Sequence, residues 1–193
     1  MIYPMFGVPS RALCPALPQV ATVLVYASQN NVEPFLEPVL ELCHTLMECD
    51  VAAVAAGQSD GGLVAVFVDQ AAVFLELAAH PDANASSAAL ACVSDMLASY
   101  PAQCAPWLLS PLSLGILAGV LRGEQPGGGA LPPVQLQQSV LEVVSKALDV
   151  PGSGAGPSNE LMTLYEAVKH IAASGDHSIR SLATQVARGL GTV

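Results

Sequence analysis

His80-Pro-Asp-Ala-Asn-Ala-Ser-Ser-Ala-Ala-Leu-Ala-Cys-Val-Ser-Asp-Met-Leu97 reads as a corner followed by a helix. Pro81 ends the segment before it, and Asp82 or Asn84 can accept from the free N–H groups of a new helix. From there Ala85, Ala88, Ala89, Cys92, Val93, Met96 and Leu97 recur at steps of three and four, the period of one helix face. The same period runs outward in both directions. Upstream it is carried by Val20, Val23, Leu24 and Ala27, and then by Leu36, Val39, Leu40, Cys43, Leu46 and Met47 on a helix beginning near Glu33. Pro34 suits the first turn of that helix. A third set is Val64, Phe67, Ala71, Phe74, Leu75 and Ala78.

Downstream, a helix over about Leu112–Arg122 stops at Gly123, and the next carries Leu136, Val140, Val143, Val144, Ala147 and Leu148 after Pro132-Pro133. Leu161, Leu164, Tyr165, Val168, Ile171 and Ala172 come next, capped by Ser158 or Asn159. The last set is Ile179, Leu182, Ala183, Val186, Ala187 and Leu190, opened by Asp176 and closed by Gly191. No segment sustains the alternation of a strand, and Thr22–Ala27 is the one short run where a strand fits at all. The expectation is an all-α chain.

Composition agrees with that class. The 193 residues are 52% hydrophobic and 11% charged, against roughly 25% charged in ordinary soluble proteins. Wholesale disorder is excluded, because a disordered chain is poor in apolar residues. The apolar residues are mostly Ala, Leu and Val, which suit close helix packing better than a β-sandwich. Net charge is −10, so direct nucleic-acid binding is not expected, since phosphates need a basic surface. The imbalance is local. Before Tyr100, ten acidic residues face Arg11 alone; beyond it, six face five bases.

Five cysteines (Cys14, Cys43, Cys49, Cys92, Cys104) are widely spaced and odd in number, which reads as buried thiols of a reducing compartment. No apolar run before Pro18 suits a signal peptide, and cytosol or nucleus is expected. The uncharged stretch Met96–Leu121 contains Pro101, Pro106 and Pro111, and its clean part, Leu112–Leu121, is short of the ~20 residues that span a bilayer. A buried helix accounts for it better than a membrane span.

Chemistry is sparse. Cys43, His44 and Cys49 lack a fourth ligand, and Cys43 belongs to the apolar stripe, so no metal is expected there. His80 reads as a loop or capping residue, and His170 and His177 have no Cys or carboxylate at ligand spacing. Gly127-Gly128-Gly129 and Gly152–Gly156 come after no strand and lack a Lys-Ser or Lys-Thr, so they read as flexible linkers rather than phosphate loops. Neither a catalytic constellation nor a cofactor site emerges, and the chain is not expected to be an enzyme. The most suggestive polar feature is Glu33, Glu37, Glu41 and Glu48, spaced to lie along one side of a helix. This ridge is either a solvated face or a docking surface for basic partners.

Helix pairs beginning near Gln19, Gly62, Ala105 and Ser158 give a period of roughly 40–55 residues, near that of HEAT and armadillo units. The expected architecture is a single HEAT/armadillo-like α-solenoid of about four antiparallel helix pairs, roughly 16–56, 62–99, 105–148 and 158–191. Flexible Gly/Pro loops are expected at 123–133 and 149–157. Asp176-His-Ser-Ile-Arg180-Ser-Leu-Ala183 matches the second-helix pattern of such units, in which the Arg reaches acidic groups of the neighbouring repeat.

His80–Ser86 running into the helix that ends Asp95-Met-Leu97 resembles a late HEAT repeat of the importin-beta superfamily, nearest to its transportin-SR and importin-thirteen-like branch. Ile116–Leu121, Leu131-Pro-Pro-Val134 and Val140–Val144 up to Asp149-Val150 are similar in order and spacing to the helix, proline turn and helix that succeed that repeat in the family. The resemblance covers roughly residues 80–190. It implies the C-terminal part of a nuclear transport receptor (a karyopherin), shared between nucleus and cytoplasm, that binds protein cargo. Ran GTPase would bind only through N-terminal repeats that have no counterpart here. The acidic surface makes a basic cargo the expected one, with Glu37, Glu41 and Glu48 as contact residues. A generic HEAT or armadillo scaffold without a transport role is the alternative, and a membrane-associated helical protein a weaker third.

Overall fold

The computed structural model describes residues 19–20, 22–23, 26, 33–57, 62–124 and 131–191. They form α1 (Glu33–Ala55), α2 (Gly62–Val68), α3 (Ala71–Ala78), α4 (Ala83–Ser99), α5 (Pro101–Leu108), α6 (Pro111–Arg122), α7 (Val134–Leu148), α8 (Asn159–Ser174) and α9 (His177–Gly191). Of the first expected helix, Leu24 and Ala27 lie outside the described residues. So do Cys14 and the Gly127-Gly128-Gly129 part of the 123–133 loop.

The helix starts obey local chemistry. Asp82 caps α4 by accepting from the backbone N–H groups of Asn84 at 2.7 Å and Ala85 at 3.1 Å. Ser158 caps α8 through Leu161 N–H at 3.0 Å. Asp176 takes the N–H of Ser178 at 2.9 Å as α9 begins. α6 ends where Gly123 adopts φ 70°, the left-handed conformation that glycine enters without a Cβ penalty.

Two helices differ from their expected extents. The single helix expected over Val64–Ala78 is broken at Asp69-Gln70 into α2 and α3. Neither Pro nor Gly marks the break, and the apolar stripe stays buried across it. Phe67 and Phe74 meet edge-to-face over it, with ring centroids 6.0 Å apart. The proline-spaced segment before Leu112, given no separate helix by the periodicity, forms one of its own. Pro101 opens α5, where a missing N–H costs nothing, Pro106 sits inside it, and Pro111 opens α6. α5 and α6 meet at a bend of 70°, and among the described residues no single helix is long and apolar enough to cross a membrane. The 149–157 connection, read as a flexible linker, is tied down at two points. Ser153 Oγ donates to Ala147 O and Val150 O, and Ala155 is buried.

Packing has a neighbour pattern. α1, α4, α7 and α9 touch in that order, and α3, α6 and α8 touch in that order. The α3–α4 and α8–α9 contacts, with a looser α6–α7 contact, tie these two rows together. α2 fits against α1 and α4, and α5 against α4 and α7. α4 is buried on more than its expected stripe. Leu90 and Ser86 are enclosed as well as Ala85, Ala89, Cys92, Val93, Met96 and Leu97. The Ser86 hydroxyl donates to the Ala78 carbonyl at the end of α3, so its burial leaves no polar atom unmet. Gln137 does the same for α7, giving its Nε2 proton to Pro132 O at 2.8 Å.

The α4 cap offers a test of this frame. Asp82→Ala is expected to lower the unfolding free energy by about 1 kcal/mol, the usual cost of losing an N-cap, while Asp82→Ser keeps most of it. Urea denaturation of the three chains measures this. Equal stability of the alanine and wild-type chains contradicts the assignment.

Candidate functional site

α1 carries two faces. Leu36, Leu40, Cys43 and Met47 are buried against the rest of the molecule, as the period requires. Glu41 and Glu48 are exposed and Glu37 is half-buried, on a side of α1 off that stripe; the Glu33 side chain lies outside the described residues. Glu37, Glu41 and Glu48 thus share one side of α1, and two of the three are exposed. Among the described residues no cation lies within ion-pair distance of Glu37, Glu41 or Glu48.

Next to the ridge stands a contact that spacing could not show. His44 Nδ1 and Asp95 Oδ2 are 2.8 Å apart, joining α1 to α4 across 51 residues of sequence. The hydrogen bond to Asp95 raises the His44 pKa, partial burial opposes it, and the charges of Asp95 and Glu48 add to the rise. Beyond Asp95, Ser94 Oγ accepts from Lys146 Nζ of α7 at 2.6 Å. The acidic surface thus extends from α1 over α4 and meets a base at its far margin. At its other end, Glu37 lines a cleft of about 320 Å³ with Leu36, His80, Pro81, Asp82 and Ala85. His80 Nδ1 there accepts from Asp82 N–H at 3.1 Å, so His80 is a loop residue that braces the capping one.

The thiols lie beneath this surface. Cys43 and Cys92 are fully buried at the α1–α4 contact, and Cys92 Sγ lies 3.5 Å from Leu40 O. Burial pushes the Cys43 pKa up to about 12 and that of Cys92 well above the ordinary range, so neither is a ready nucleophile. Cys104 is likewise buried and Cys49 half-buried. Cys43, His44 and Cys49 diverge, into the core, onto Asp95 and toward the surface. Among the described residues no group of three or more His, Cys, Asp or Glu side chains could hold a metal ion.

Elsewhere the structure corrects one expectation. Arg180 does not reach acidic groups of a neighbouring helix pair; its Nε donates to Gly175 O, 2.8 Å away at the start of its own helix. That carbonyl lies at the α8–α9 corner, nearer than any neighbouring pair. A groove of about 640 Å³ also runs between α6 and α8, lined by Leu121, Leu131, Met162 and Ile171 with Arg122 and His170. Its charges are mixed, since Arg122 pairs with Glu124 at 2.8 Å.

The His44–Asp95 pair predicts a pH dependence. The His44 pKa is raised in the folded chain, so the pair's contribution is complete below the unfolded value of about 6.5 and fades as pH rises through the folded one. With the side chains 37% and 17% exposed, solvent screening holds that contribution to about 1 kcal/mol or less. Urea denaturation should find His44→Gln less stable than wild type at pH 5.5, with the gap closing by pH 8.5. A gap that widens with pH contradicts the pair.

Comparison with models of known protein families, with curated proteins and with solved structures finds no match to this chain.

Proposed function

We propose that the chain is a segment of a HEAT/armadillo-type α-solenoid that binds other proteins through its acidic face. The observation that carries this reading is the order of contacts, with α1, α4, α7 and α9 in one row and α3, α6 and α8 in a second. Stacked helix pairs that bury a shared core make such rows, and they present long surfaces for partners. The triplets α2–α4 and α5–α7 are consistent with this reading, since such units hold two or three helices.

The partner in this reading is a basic protein. Ten of the sixteen acidic residues precede Tyr100; Glu41 and Glu48 are exposed on α1, Glu37 is half-buried there, and Asp95 of α4 stands at the α1 margin against His44. A narrower version is the C-terminal part of a nuclear transport receptor, with protein cargo as the ligand and both nucleus and cytoplasm as its compartments. Its support is the sequence resemblance over residues 80–190. The strings that carry it fall at the α3–α4 corner and on α6 and α7, which pack near one another.

Titration with a fluorescent Arg-rich peptide tests the acidic face. Binding should weaken steeply between about 50 and 200 mM salt, as screened surface charges do. The triple variant Glu37→Lys, Glu41→Lys, Glu48→Lys should lose more than the roughly 0.2–1 kcal/mol typical of an exposed pair for each change, since attraction becomes repulsion. Circular dichroism should stay helical. Unchanged affinity in the triple variant makes the ridge an ordinary solvated face.

A further inference from the structure

We propose that the outward face of α1 is the seat of an amphipathic helix from another protein, with apolar side chains on one stripe and Lys or Arg along one edge. The observation is a contrast between the two ends of one helix row. α9, at one end, turns Arg180, Ser181, Gln185 and Arg188 to solvent. α1, at the other end of the row that the described helices form, turns out Phe35 and Leu42, which are 63% and 48% exposed. Seven residues separate Phe35 from Leu42, and seven more lead to the half-buried Cys49, so these side chains line up on one stripe. A polar end face closes a stack of helices, and an apolar one leaves it open.

Two further features define the occupant. The row itself is built by helix on helix: α4 takes α1 on one flank and α7 on another. The stripe on α1 continues that mode of packing, and from Phe35 to Cys49 it offers about 21 Å, enough for roughly four turns of a partner helix. Glu41 and Glu48 run beside the stripe at the same seven-residue spacing; among the described residues neither has a cation within ion-pair distance, and the nearby His44 is taken up by Asp95. They call for a basic edge on whatever lies across Phe35 and Leu42. A second copy of this chain fits poorly, because it would bring the same glutamates face to face.

This inference rests on the protein-binding reading and narrows it, so the test must separate the two. The probe is a synthetic helical peptide of Leu and Lys, about five turns long, with an apolar stripe and a basic edge. A scrambled peptide of the same composition, without the stripe, is its control. The full chain should bind the amphipathic peptide at least tenfold more tightly than the scrambled one. Phe35→Ser and Leu42→Ser should each remove about tenfold of that affinity and leave the salt dependence in place. Glu41→Lys with Glu48→Lys should flatten the salt dependence. All these positions are exposed, and circular dichroism checks that helicity is kept.

Equal binding of the two peptides overturns the inference while leaving the acidic-face reading standing, and so does an unchanged affinity in Phe35→Ser. Absence of binding by either peptide overturns both. Sedimentation showing that the chain associates with itself through Phe35 and Leu42 assigns the face to a second copy and overturns the proposal.

Discussion

The burial of α4 is the constraint on which the other packing depends. It touches α1, α2, α3, α5 and α7, so it cannot be a one-faced surface helix. Alanine, serine and cysteine on several of its sides let neighbours approach closely, since interaxial distance is set by the side chains at the contact. Ala85 and Ala89 are buried together with Leu90 and Val93, and Ser86 is admitted only because its hydroxyl finds the Ala78 carbonyl. A larger residue at these positions would push a neighbouring helix away, and both helix rows would lose their common support.

The acidic surface proposed to bind partners grows from the same contact. Pressing α1 onto α4 sends Cys43 and Cys92 inward, where burial suppresses their reactivity, and brings His44 to Asp95 at the margin. The residues left outside are the glutamates, and beside them Phe35 and Leu42. The core and the exposed acidic face are thus consequences of one helix rotation. Turning α1 enough to hide Phe35 would expose Leu40 and Cys43.

Periodicity makes the helices legible because each one buries a stripe. Leu36, Leu40, Cys43 and Met47 on α1 and Ile179, Ala183, Val186 and Leu190 on α9 are buried where the steps of three and four put them. Leu90 is not legible, because a single-stripe reading has no place for a residue enclosed on a second side. The α2–α3 break is hidden since it keeps the stripe and carries no breaker. α5 escapes for the opposite reason: Pro101, Pro106 and Pro111 read as breakers, although two of them occupy first-turn positions that favour proline. Glu37, Glu41 and Glu48 emerge from spacing alone. Their companion contact, His44 with Asp95, joins residues far apart in sequence and leaves no local signal. Arg180 misleads because its reach to a carbonyl of its own corner competes with any longer reach.

Both faces depend on the row order of the described helices, which a distance between α1 and α9 tests. Spin labels introduced at the exposed positions Glu41 on α1 and Gln185 on α9 can be read by pulsed electron resonance. With α4 and α7 lying between them, three interaxial steps of roughly 8–10 Å predict a separation of about 25–30 Å. A distribution centred below about 15 Å, less than two interaxial steps, would bring α1 and α9 side by side, close the row into a bundle, and contradict the account.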